Sequence, residues 1–415
     1  MTEAAAAIGL SRREKLAIFA VAVAARAASA AGAPATPVFG DSGAYVRASR
    51  ALWNTGTYPA WTDLFLFRPP GYPAFLAVST WGHPERIRLD RGMNVLLGAL
   101  FALVVAAVAG RVARSRASAR IAGVAAAIYP PFLLLSAEPQ SEPLFLLLFA
   151  AAGFLLLVAV DRPSSGCALA AGASLALAAL VRPSALALAP VLGAALFDRR
   201  FPPRIRRALA GSAVFGFCVV LLPWTARNAI RYRGFLPVSD GGAFVFWQGN
   251  SPSAVAYYRA RTKEDTDRWA LGFVRQLPEL PERIPGAGSP NPVVRARAFD
   301  RAARSWIAAH PREEAALLAR KAGDWLRPWA NPRFRSRTVV LLSAAGYTTL
   351  VLLAAAGFVV APRRGVVAAA IAILAIAMAV HVATIVALRY RAAYWDPVLI
   401  VFASAAAAFP FRENA

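Results

Sequence analysis

Ten apolar runs alternate with short polar connectors along the chain, at about 16–34, 92–110, 119–136, 142–160, 166–181, 184–197, 208–224, 338–360, 366–387 and 394–410. Their lengths are those of bilayer-crossing helices, for which about 20 residues suffice. The pattern predicts an all-α polytopic membrane protein, a bundle of about ten transmembrane helices. Runs 166–181 and 184–197 are short for a crossing, and one long bent helix is the alternative. Two short spans joined at Arg182-Pro183, a rigid turn, keep every basic connector on one side. The N-terminal stretch, with Arg12, Arg13 and Lys15 before its apolar run, reads as an uncleaved first span rather than a signal peptide.

The connectors set orientation. Basic residues, nearly all Arg, gather at 12–15 and in the connectors 111–120, 199–207 and 363–364. In a ten-span count these fall on one side, and the excess of Lys and Arg makes that side cytoplasmic. The expectation is a multi-pass protein of the inner or plasma membrane with both termini cytoplasmic. The chain then divides into an N-terminal transmembrane module (1–224), an external, partly helical segment (225–337) and C-terminal spans (338–415). A first external loop covers about 35–91. In the second, 293–309 and 311–327 carry apolar residues at helical spacing, and 281–292, rich in Pro, Gly and Ser, reads as a flexible connector. Residues 72–82 are apolar and aromatic but too short to span, as in an interfacial segment.

Composition agrees: of 415 residues, 58% are hydrophobic and only 16% charged, too few to clothe a soluble surface. The net charge of +24 alone would suggest nucleic acid, but it sits in membrane connectors with no soluble basic module, which argues against nucleic-acid binding. Cys167 and Cys218 lie inside apolar runs and the three histidines are far apart, so neither a disulfide framework nor a zinc site is expected. All but five of the 22 acidic residues (Glu3, Glu14, Asp161, Asp198, Glu413) fall outside, so carboxylate chemistry is external.

Several external motifs carry chemistry. Asp41 follows the first span, and Tyr45 lies four residues on, hence on one helix face. A carboxylate at the membrane–water boundary is partly desolvated and suits a base; a helix N-cap is the structural alternative. Arg68 precedes Pro69-Pro70-Gly71-Tyr72-Pro73, a rigid turn that presents a guanidinium to a phosphate or to lipid headgroups. Glu138 and Glu142 flank the start of the fourth span, either to hold a cation or orient a hydroxyl, or to stabilise a helix N-terminus. Arg227, Arg389 and Arg391 are external and juxtamembrane, where positive charge needs a reason: phosphate binding, or snorkelling from a helix end. Asn250 lies in a Gly-Asn-x-Pro piece.

In order and placement these pieces resemble polyprenyl-phosphate-sugar-dependent glycosyltransferases of the GT-C fold, near the protein O-mannosyltransferase and aminoarabinose transferase group, glycosyltransferase family 39. The motifs are Asp41-x3-Tyr45, Arg68-x2-Gly71-Tyr72-Pro73, Pro223-Trp224-x2-Arg227-Asn228, Gly234-Phe235-x-Pro237-Val238-Ser239, Gly249-Asn250-x-Pro252 and Arg389-Tyr390-Arg391. The resemblance implies inverting transfer of a sugar from a polyprenyl-phosphate donor, on the external face, to a protein, lipid or polysaccharide acceptor. Membrane lipids are its surroundings. It makes Asp41 the general base or an acceptor-orienting carboxylate, and Arg227, Arg389 and Arg391 candidates for the lipid phosphate. Tyr45, Arg68, Tyr72, Glu138, Glu142 and Asn250 complete the candidate substrate site. Many relatives have an Asp-Glu pair where this chain has Asp41-Ser42, so a divalent cation has no clear ligand pair and no metal residue is assigned. A multi-pass transporter or lipid-linked-sugar flippase is the alternative, for which Arg26 inside the first span speaks; a structural partner without activity is a third.

Overall fold

The computed structural model of the chain describes residues 9–33, 41–59, 68–137, 140–197, 200–260, 262–276, 279–328 and 336–411. Among them the regular structure is helical, without strands. The first part contains α1 (Arg12–Ala31), α2 (Asp41–Thr55), α3 (Gly71–Ser79), α4 (Ile87–Ala113), α5 (Arg116–Ile128), α6 (Pro130–Ser136), α7 (Glu142–Asp161), α8 (Ser165–Val181), the 3₁₀ helix η1 (Pro183–Phe197) and α9 (Pro203–Tyr232). A run of shorter helices follows: α10 (Gly241–Gly249), α11 (Pro252–Arg259), α12 (Lys263–Gln276), α13 (Leu280–Arg283), α14 (Pro292–Ala309) and α15 (Pro311–Leu326). The chain closes with α16 (Arg337–Val360), α17 (Arg364–Ala383), α18 (Leu388–Tyr394) and α19 (Asp396–Ala407).

Every apolar run thus has a helical counterpart. Among the described residues, α4, α7, α9, α16 and α17 are each long and apolar enough to cross a bilayer, six spans when the bent pair α5–α6 counts as one; α8, η1 and α19 are apolar but shorter. Residues 165–197 form two helices, broken at Arg182-Pro183. The second is not as short as its residue count suggests. A 3₁₀ helix rises about 2.0 Å per residue against 1.5 Å in an α-helix, so the 15 residues of η1 reach about as far as 20 in α form.

The bend of 51° between α5 and α6 has a local cause. Pro130 and Pro131 have no N–H to give to the carbonyls of Ala126 and Ala127, four residues back. Those two orphaned oxygens receive the guanidinium of Arg26 instead, Nη2 to Ala126 O at 2.9 Å and Nη1 to Ala127 O at 2.8 Å. Arg26 is fully buried on α1. The charged residue of α1, a helix outside those long and apolar enough to cross a bilayer, therefore mends a broken helix, as buried backbone groups need partners.

Small residues let the helices approach closely. A Cβ on Gly172 of α8 would fall 1.8 Å from Ala213 O, and one on Gly216 of α9 would fall 2.1 Å from Leu169 O, so this pair admits only glycine at both sites. Two apolar clusters fill the bundle, one centred on α7, α8, η1, α9 and α17, the other on α1, α4, α5, α16 and α19.

The helices α10–α15 have their own small core of Phe244, Leu280, Ile284, Ala287, Ala298 and Phe299. A fully buried ion pair, Arg295 Nη2 to Asp240 Oδ2 at 2.7 Å, ties α14 to the start of α10. Segment 281–292, expected as a flexible connector, is instead packed. Ile284 and Ala287 are buried, and Arg295 Nη1 donates to Ser289 O at 2.8 Å. Its Pro and Gly content shapes turns, and two apolar side chains anchor them. Residues 311–326 are helical as their spacing predicts, but their inner face is Glu314, Leu317, Lys321 and Trp325. The short α3 and its following turn leave Val78 and Trp81 more than two-thirds exposed.

Candidate active site

Four segments distant in sequence meet at the N-terminal end of α7. Glu142 opens that helix, fully buried, and its carboxylate Oε1 lies 2.8 Å from Arg182 Nη1 and 3.9 Å from Arg389 Nε. Arg182 gets there because Pro183 disfavours a helical conformation at residue 182. Arg182 therefore leaves α8 extended, at φ −139° and ψ 106°. Its guanidinium lies over the ring of Tyr390, 5.0 Å from the centroid, and Arg389 lies over the same ring at 5.1 Å. Two guanidiniums around one carboxylate leave net positive charge, stacked and oriented by an aromatic face.

The chain beside Asp41 joins this cluster. Gln140 Nε2 donates to Ser42 Oγ at 3.0 Å, and Gln140 Oε1 accepts from Arg389 Nη1 at 3.3 Å. Asp41 is the first residue of α2; its side chain lies outside what is described. Tyr45, one turn on, is buried. Its hydroxyl lies 3.5 Å from Ser141 Oγ and its ring meets Tyr72 edge-on at 5.0 Å. Tyr72 is fully buried and donates to Asp90 Oδ1 at 3.0 Å. Burial, with the Asp90 carboxylate beside it, pushes this phenol well above its usual range, so it stays a donor. Gly71 sets the position of α3, because a Cβ there would come within 2.8 Å of the Leu180 backbone.

Next to this cluster lies another around Tyr58. Its hydroxyl donates to the carbonyls of Arg68 (3.1 Å) and Pro69 (3.2 Å), and its ring meets Trp224 edge-on at 5.3 Å. Arg227 stacks on Trp224 at 4.7 Å and donates to Tyr58 O at 3.3 Å and Asn228 Oδ1 at 2.9 Å. Burial raises the Tyr58 phenol, and Tyr45, Arg68 and Arg227 all stand within its electrostatic reach. The two clusters are therefore neighbours. The motif around Trp224 also holds the following loop: Trp224 Nε1 donates to Val238 O (2.9 Å), Thr225 Oγ1 to Pro237 O (2.9 Å) and Asn228 Nδ2 to Leu236 O (3.0 Å).

Tyr45, Arg68, Tyr72, Glu142, Arg227 and Arg389 are thus brought together, while Arg391 and Asn250 are engaged elsewhere. Successive residues of a helix point about 100° apart, so Arg389 and Arg391 on α18 face different neighbours. Arg391 is buried, donates to the carbonyls of Trp325 and Arg327 at the end of α15, and lies 3.8 Å from the Tyr347 ring centroid. Asn250, also buried, donates to Phe246 O (2.7 Å) and Ala383 O (2.9 Å) and accepts from Lys321 Nζ at 2.7 Å. Glu138 lies outside the described residues. Sequence reasoning passed over Ser42, Gln140, Asp90 and Arg182 as site residues; the Arg182-Pro183 step was the one legible signal, read as a turn alone. Among the described residues no group of three or more His, Cys, Asp or Glu side chains gathers to hold a metal ion, and Glu142 is already engaged by two arginines.

The family model described as dolichyl-phosphate-mannose-protein mannosyltransferase matches residues 68–226, which include Arg68, Tyr72, Glu142 and Arg182. No curated protein matches the chain in sequence. Among solved structures, the chain is similar to the oligosaccharyltransferase AglB from Archaeoglobus fulgidus in complex with an inhibitory peptide and a dolichol-phosphate. The identity is 17% and the TM-score 0.58, covering 96% of this chain and 50% of that one. The apo form of the Archaeoglobus fulgidus oligosaccharyltransferase gives 14% identity and a TM-score of 0.60, covering 97% and 50%. ArnT from Cupriavidus metallidurans bound to undecaprenyl phosphate gives 17% identity and a TM-score of 0.47, covering 95% and 78%. The chain spans about half the length of the oligosaccharyltransferase chains it matches. What the chain shares with the oligosaccharyltransferase structures at these identities is the fold, the polytopic GT-C fold that the motifs resemble.

Proposed function

We propose that the chain is an integral membrane glycosyltransferase that moves a sugar from a polyprenyl-phosphate carrier to an acceptor on the external face of the cell membrane. One observation carries the reading: Arg182 and Arg389, fixed around Glu142, meet the start of α2 through Gln140 and Ser42, with Arg68 and Arg227 alongside. A donor whose leaving group is a lipid phosphate needs positioned positive charge and one base, and little else. The description of the matching family names a dolichyl-phosphate sugar donor, and the AglB structure holds a dolichol-phosphate, which supports a donor of that class. Arg26 mends the α5–α6 break, which removes the observation that favoured a transporter.

In this reading the acceptor oxygen attacks the anomeric carbon from the face opposite the phosphate. The bond from that carbon to the phosphate oxygen breaks, and the anomeric centre inverts. The phosphate leaves with the bonding electrons and its charge is met by Arg389 and Arg182. Asp41 takes the acceptor proton. Glu142 holds the two guanidiniums in place, and Tyr45 and Tyr72 wall the site. Both termini are cytoplasmic, and the acceptor is a protein, lipid or polysaccharide.

The test pairs identification with substitution. Mass spectrometry of envelope glycans with and without the chain names sugar and acceptor. Transfer from the corresponding polyprenyl-phosphate sugar is then assayed with the purified protein. Asp41→Asn should remain membrane-inserted and lose about 100-fold or more in rate, the scale of general base catalysis. Retained transfer would remove Asp41 as the base; retained transfer in Arg389→Gln as well would sink the site.

A further inference from the structure

At the opposite end of the bundle lies a cavity of about 650 Å³ between α4, α7, η1, α17 and α19. It is as large as a small-molecule site. Its walls are apolar, among them Val108, Phe149, Leu156, Leu192 and Ile373, and its polar end carries Arg114, Arg200, Arg363 and Arg364, with no carboxylate among the described lining residues. It is not the site described above. Glu142 begins α7 and Asp161 ends it, so the arginine end lies about 30 Å from Glu142 at 1.5 Å per residue. The rim is built: Asp161 holds Arg363 Nη1 at 2.8 Å and Arg111 Nη1 at 3.0 Å, and Arg363 is buried. Two arginines share that one carboxylate, so the rim keeps positive charge. Gly153, on the wall, has open space where a Cβ would be.

We propose that this cavity is a binding site for an acidic glycerophospholipid, with an acyl chain between the helices and the phosphate on the arginine rim. An apolar slot that opens among guanidiniums complements an anionic headgroup on an apolar tail, and basic pockets between transmembrane helices bind such headgroups. Arginine forks suit phosphate oxygens by charge and geometry. A zwitterionic lipid offers the same tail without net negative charge and binds less well.

The test uses the purified full chain in detergent and native mass spectrometry, with added phosphatidylglycerol or phosphatidylcholine as probes. The wild type should retain one phosphatidylglycerol in at least tenfold preference to phosphatidylcholine. The exposed rim double variant Arg114→Gln/Arg364→Gln should lose that preference. Gly153→Phe, which fills the slot and leaves the rim intact, should lose both lipids. Monodispersity and an unchanged melting temperature in lipid-free detergent show that each variant is folded. Equal retention of the two lipids by the wild type, or wild-type retention of phosphatidylglycerol by both variants, overturns the proposal. So does a copurified polyprenyl phosphate displaced by Gly153→Phe, which would make the slot the donor's. None of these readouts depends on sugar transfer.

Discussion

The two ends of α7 make the same contact in opposite settings. Glu142 at the start and Asp161 at the end each sit between two arginines. The side chain of Glu142 is 1% exposed and that of Asp161 is 25%. Glu142 also lies at the positive end of the helix dipole, where a carboxylate is favoured, whereas Asp161 lies at the negative end, where it is not. At the first end helix and arginines act together on an enclosed anion; at the second the arginines offset an unfavourable position in contact with water. A carboxylate with two arginines is therefore not one kind of feature. A buried arginine attends each, Arg182 at the first and Arg363 at the second, so what separates the two is the exposure of the carboxylate and its place on the helix dipole.

The largest expected effect comes from Glu142→Gln, which strands the buried charge of Arg182. Breaking such a pair costs about 3–5 kcal/mol, so melting temperature in detergent should fall sharply together with transfer activity. A loss no greater than that of the Asp161 variant would erase the contrast. Arg26→Met follows. It removes a buried charge that faces carbonyls instead of a carboxylate, leaving two oxygens unsatisfied at about 1–3 kcal/mol each, less the relief of desolvation. A net loss of about 2 kcal/mol is expected, and a stabilised variant would refute the mending role. Lys321 extends the comparison to pH. Burial holds its ammonium down at about 8, with Glu314 opposing, against an ordinary value near 10.5. Between these values the unfolded chain binds more protons than the folded one, so stability rises with pH from about 8 to 10.5 through this group. Thermal melts of the wild type against Lys321→Met over that window should show the rise in the former only. The smallest effect is that of Asp161→Asn, about 1 kcal/mol: it takes a partner from the buried Arg363, but the part-exposed carboxylate leaves room for water to replace it. It should leave transfer activity unchanged, and a loss of activity would couple the two ends.

Much of the scaffold was legible. The apolar runs marked helices because only about 20 residues of apolar helix satisfy both the backbone and the bilayer. The helix that carries Asp41 and Tyr45 was legible for the same local reason, and Tyr45 lies in the candidate site. Arg389 and Arg391 looked equivalent, being two residues apart, until α18 turned them to different neighbours. Gln140 and Ser42 carried no signal, because neither has a role until 98 residues of chain fold back to bring them within 3.0 Å. Lys321 was hidden by helical periodicity itself: it occupies a core position that the pattern reserves for apolar side chains, and is tolerated there because its ammonium donates to Asn250 Oδ1.

By itself, then, the sequence determined the helices, the break at Pro183 and the placing of basic connectors between apolar runs. Each depends on residues within a turn or two of one another. Only the tertiary structure decided that Arg182 belongs with Glu142 and Arg389, that Arg26 serves the carbonyls of Ala126 and Ala127, and that Asp161 stands at a cavity's rim. Those are contacts between residues 40 to 247 positions apart, and nothing in local periodicity encodes which distant charge will be enclosed beside which.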